Sequence, residues 1–129
     1  MPVTATTVET FALWVSSTGT FRLLDWGTAA TPQRTLCCDA AQPVSLTGAL
    51  TMWEEGDAFR LRRPRNPYAS ALLLAYQPYP GLRFGDVVFT GATDPRTDAV
   101  HGLTEDQALT LLDLYLLRVN AHVPGARHH

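Results

Sequence analysis

From Leu103 to Val123 apolar side chains recur at helical spacing, whereas before residue 90 they alternate or gather in short runs. The C-terminal pattern predicts one amphipathic helix, Thr104 to Val123. Thr104 can cap it, its hydroxyl accepting from an otherwise orphaned amide of the first turn. Gln107 completes a capping box, and Leu103 and Ala108 occupy the staple positions, although alanine makes a weak staple. Glu105 and Asp106 bring negative charge to the positive end of the helix dipole, and Pro124-Gly125 stops the helix. At about 100° per residue, Ala108, Leu109, Leu111, Leu112, Tyr115, Leu116, Val119 and Val123 share a core-facing arc of about 160°. Leu114, Leu117 and Ala121 fall outside it, among Gln107, Thr110 and Asp113. They are either scattered surface apolar groups or a second contact face, for a dimer mate or another protein.

The earlier patterns predict strands. Glu9–Ser16 alternates, with Phe11, Leu13 and Val15 on one side and Trp14 on the other; Ser17-Thr-Gly19 is a turn, and Thr20–Trp26 returns as a hairpin. Arg34–Cys38 reads as a short apolar strand after a loop punctuated by Pro32. A strand region from Val44 to Glu54, a turn at Glu55-Gly56-Asp57 and a return over Ala58–Arg62 predict a second hairpin. Ala71–Ala75, bounded by prolines, reads as a buried strand, with a helical turn as the competing assignment. Phe84–Phe89 is a strand, and Gly91–Gly102 a polar loop before the helix.

These elements sum to an α+β fold: a curved, mostly antiparallel sheet of about seven short strands, roofed by the C-terminal helix and possible as a half-closed barrel. The order of elements alone resembles that of pleckstrin-homology-like barrels, which implies architecture and not function. The 129 residues suit a single domain, with 1–7 and 124–129 as flexible tails.

Composition then narrows the function classes. A net charge of -2 supplies no protein-wide field for nucleic acid, so such binding needs a local patch. All 10 basic side chains are arginine, a bias that a GC-rich genome explains as well as any chosen chemistry. The only cysteines, Cys37 and Cys38, are neighbours, which makes a mutual disulfide strained and a spaced zinc set absent. Two reduced thiols point to a reducing compartment. The N-terminus lacks the basic and apolar regions of a signal peptide, and no apolar run reaches the roughly 18 residues of a membrane span. The expectation is a cytoplasmic protein without a membrane partner.

Candidate chemistry is sparse. Arg60, Arg62, Arg63 and Arg65, with Tyr68 and Trp53 nearby, form a local basic patch. Guanidinium groups and aromatic rings together suit single-stranded nucleic acid, or an acidic or phosphorylated ligand. Glu54, Glu55 and Asp57 stand where they would neutralise the same patch. Asp94, Asp98 and His101 could bind a divalent metal or act as an acid/base pair, yet the surrounding Thr-Asp-Pro-Arg is ordinary turn chemistry. Trp14, Trp26 and Trp53 are either core or the lining of a ligand cavity. No Gly-x-Ser-x-Gly elbow and no glycine-rich phosphate loop occurs. His122 could oppose the negative pole of the helix.

With no catalytic set and no cofactor implied, the sequence reads as a non-enzymatic binding module. It would engage another protein, or itself as a homodimer, through Leu114, Leu117 and Ala121. Single-stranded nucleic-acid binding by the arginine patch is the alternative, and a small metal-dependent enzyme the third reading.

Overall fold

The structure, a computed structural model, describes residues 9–27 and 29–123. The tails expected at 1–7 and 124–129 lie outside the described residues. The elements run β1 (Glu9–Val15), β2 (Phe21–Asp25), α1 (Pro32–Leu36), β3 (Ala41–Thr47), β4 (Leu50–Glu55), α2 (Pro67–Leu73), β5 (Val87–Thr90), β6 (Leu103–Thr104) and α3 (Glu105–His122). Among the described residues six strands form one open sheet, five of them in the order β2-β1-β5-β4-β3 with β6 off that path, and every pairing is antiparallel. The short β6 pairs with the N-terminal half of β1, alongside the stretch that β5 takes.

The first hairpin forms as its alternation requires, with Phe11 opposite Asp25 and Val15 opposite Phe21. Its turn is held by the Ser16 hydroxyl, which accepts from the Thr18 and Thr20 amides at 3.2 and 3.1 Å. Gly19 is required there twice over. Its φ of 90° lies in the left-handed region, and a Cβ would stand 2.7 Å from the Tyr68 ring.

The sheet separates two cores. Leu13, Val15, Met52, Val87 and Phe89 point to one face, where Ala69–Leu73 of α2 and Ala108, Leu111, Tyr115 and Val119 of α3 cover them. Ala12, Trp53 and Val88 point to the other, joined by Trp26 and the flanking Ala30, Leu36 and Val100. The central strands are therefore apolar on both sides, and all four residues of β5 are buried.

Four expectations are corrected. The expected α+β fold forms, but its antiparallel sheet has six strands among the described residues, against about seven, and does not close. Residues 34–38 are not a strand: α1 spans Pro32–Leu36 and Cys37 closes it in the left-handed conformation. Ala71–Ala75 is not a strand either, since α2 runs from Pro67 to Leu73. Residues 58–62 form a turn and not a return strand. Both edges of β4 are already taken by β3 and β5, which leaves no place for a third partner. The second hairpin is instead β3-β4, turning through Gly48 and Ala49.

The α3 helix matches its sequence signals. The Thr104 hydroxyl accepts from the Gln107 amide at 3.1 Å and the Gln107 side chain accepts from the Thr104 amide at 2.8 Å. Leu103 and Ala108 are both buried.

Candidate functional surfaces

Helix α3 lies against β1 and α2 together, and this sets which leucines face out. Leu114, expected outside, is half-buried against the shared core. Leu109 and Leu116, expected to face the core, are exposed, and Leu117 is 64% exposed. Ala121 is exposed as expected. The cause is α2: a second helix beside α3 encloses the flank carrying Leu114, and the opposite flank turns outward. On the same side of the sheet, Phe21 and Leu23 of the edge strand β2 are also exposed. Phe21 meets the Tyr115 ring edge-on, with centroids 5.4 Å apart. The Tyr115 hydroxyl donates to the Gly19 carbonyl at 3.1 Å. Burial, with Tyr68 adding to it, pushes the Tyr115 phenol up to about 12.

The arginine patch divides in two. Arg60 pairs with Asp57 at 2.9 Å and Arg63 with Glu55 at 2.7 Å. The Arg60 guanidinium holds the Asp57 carboxyl below its ordinary value. Arg62 and Arg65 are exposed and have no carboxylate within 4.0 Å among the described residues. Arg62 sits at φ 57°, closing the turn that begins at Asp57. Tyr68 is not part of this surface, since it packs over Gly19 and the α2–α3 core. The aromatic group beside the arginines is Phe59, 76% exposed and stacked edge-on with Phe84 at 5.2 Å. Phe59 is exposed because residues 58–62 form a turn outside the sheet and give it no sheet face to cover. Nearby Glu54 bonds Arg83 at 2.9 Å, yet burial dominates and raises its carboxyl.

The acidic loop folds back on itself. The Asp94 carboxylate accepts from the Arg96 amide at 2.8 Å, and the Asp94 amide donates to the Ala99 carbonyl at 2.8 Å. Asp94 is thus spent on the turn, while Asp98 and His101 line a cleft over Trp26 and Trp53. Among the described residues no three histidine, cysteine, aspartate or glutamate side chains converge as metal ligands. Trp14 stands apart from that cleft, under the Arg22 guanidinium at 5.7 Å. The side chain of His122 lies outside the described residues. Cys37 and Cys38 are free thiols, and burial raises the Cys38 thiol.

No family model, curated protein or solved structure matches the chain.

Proposed function

We propose that the protein is a non-enzymatic binding module that associates with another protein, foremost a second copy of itself, through the outer face of α3. The observation that carries this reading is the exposure of Leu109, Leu116 and Leu117 on one helix, with Phe21 and Leu23 exposed on the adjoining sheet edge. Isolated surface leucines are common, but a grouped apolar surface is the usual mark of an interface. An 18-residue helix is about 27 Å long and about 10 Å wide, so its outer face projects roughly 270 Å². Stable interfaces bury about 800 Å² per partner. The helix alone falls short, and β2 supplies more surface together with an open edge for antiparallel pairing. A two-fold arrangement uses the same patch on both copies. The expected dimer is weak and concentration-dependent.

The test is co-purification of two differently tagged copies. Leu116→Arg with Leu117→Arg keeps the fold, because both side chains are exposed, and abolishes co-purification. Co-purification that survives both changes counts against the reading. Two free thiols support a reducing, cytoplasmic setting. No described helix is long and apolar enough to cross a membrane.

A second reading, single-stranded nucleic-acid binding, is favoured by Arg62 and Arg65, exposed without acidic partners beside Phe59. Two uncompensated cations predict a slope of about -1.4 for log affinity against log salt on a single strand. A labelled-strand titration at low salt showing no binding removes this reading.

A further inference from the structure

We infer that the cleft over Trp26 and Trp53, on the face of the sheet opposite α3, is a binding site for a small neutral or singly cationic molecule carrying a flat apolar ring. The cavity has a volume of about 860 Å³, within the roughly 300–1,000 Å³ of small-molecule sites. It exists because the two faces of the sheet are covered unequally. Two helices close the first face, whereas the second has only the five-residue α1 and the 91–102 loop, with a gap between them.

The indole floor is held in place by hydrogen bonds within the protein. Trp26 Nε1–H donates to the Val100 carbonyl at 2.9 Å. Trp53 Nε1–H donates to the Thr90 hydroxyl at 2.9 Å, which in turn donates to the Gly91 carbonyl at 3.0 Å. Both indole donors are thus consumed within the protein, and what remains for a ligand is indole carbon. Pro32 and Pro43 add rigid apolar walls. A flat ring matches such a surface, since aromatic groups pack by offset stacking or edge contact.

Charge then selects the ligand. Among the described residues the ionisable groups lining the cleft are Asp98 and His101, and no arginine lines it; the sequence contains no lysine. A carboxylate beside indole rings attracts a cation and repels an anion, so phosphates and carboxylates are disfavoured. The occupant is a ring-bearing alcohol, amide or amine, with the amine favoured.

Three probes of one shape separate these terms: 2-phenylethylamine, 2-phenylethanol and phenylacetate, titrated against the ¹⁵N-labelled chain. The indole N–H signals of Trp26 and Trp53 and the amides of 93–102 report binding. The amine and the alcohol shift these signals saturably, the amine more tightly by about two- to five-fold, as an exposed ion pair allows. Phenylacetate binds more weakly than either. Asp98→Asn, at an exposed position, removes the amine's advantage and leaves the alcohol's affinity unchanged. The inference is overturned if no probe shifts the cleft signals, if shifts are confined to α3, or if phenylacetate binds as well as the amine. An amine preference that persists in Asp98→Asn also overturns the charge assignment. The cleft faces away from α3, so the monomeric Leu116→Arg, Leu117→Arg pair, which leaves every cleft residue unchanged, separates this outcome from self-association.

Discussion

Asn66→Ala is expected to loosen the framework by removing three hydrogen bonds at one buried position. Asn66 is fully buried and ties three segments together. Its amide donates to the carbonyls of Val15 at 3.3 Å and Gly85 at 2.8 Å, while its Oδ1 accepts from the Ala69 amide at 3.0 Å as the N-cap of α2. Losing the cap removes about 1 kcal/mol. Each buried carbonyl deprived of its donor removes about 1 kcal/mol more, for a total of about 3 kcal/mol. That is a large share of the roughly 5–15 kcal/mol that holds a domain together. With a urea slope of about 2 kcal/mol per molar, the unfolding midpoint falls by about 1.5 M. Asn66→Asp keeps the cap acceptor but sets a carboxylate against two carbonyl oxygens in a buried site, and it destabilises at least as much. Urea titrations followed by circular dichroism measure both. A midpoint shift under about 0.5 M for the alanine variant, or an aspartate variant as stable as the parent chain, refutes this reasoning.

Other consequences follow from the same geometry. Thr104→Ala removes the hydroxyl that accepts from the Gln107 amide, while the residue-104 amide still donates to the Gln107 side chain; it lowers stability by about 1 kcal/mol, seen in thermal melts and in faster amide exchange in the first turn of α3. Tyr115→Phe deletes the bond to Gly19 and lowers stability by about 1 kcal/mol. The fold favours the neutral Tyr115 phenol, so this contribution is full below the ordinary value of 10.0 and is lost as pH rises toward about 12. Tyr115→Phe is therefore less sensitive to alkali in that window, though burial of Tyr76 acts in the same direction and leaves some sensitivity. In Gly91→Ala the new Cβ would stand 2.5 Å from the Gly102 carbonyl oxygen. The 91–102 loop must shift, at about 1–3 kcal/mol, and tryptophan emission moves to the red as Trp26 loses its cover.

The sequence was most informative where local signals and tertiary packing agree. The capping box of α3, the turn at Ser17–Gly19 and the alternation of β1 each specify one answer locally, and each forms. The short helices were obscured because their apolar runs have no resolvable period. Their signal was nevertheless present at the N-caps. Thr31-Pro32 and Asn66-Pro67 each place a capping side chain before a proline at the first helical position. The pairing of β1 with β5 joins segments too distant for any turn to announce it. The α2 helix decides which leucines of α3 face outward. Without a second helix beside α3, Leu114 looked free and Leu109 and Leu116 looked buried. The cleft was not legible, because it is a gap between α1 and a loop that only the fold brings near Trp53.

The central claim is that the outer face of α3 and the edge of β2 bring two copies of the chain together. Light scattering of the unmodified protein across a wide concentration range measures this most directly. The account predicts a mass that rises from one protomer toward two as concentration increases, and that stays at one protomer for the Leu116→Arg, Leu117→Arg pair. A mass fixed at one protomer at every concentration contradicts it.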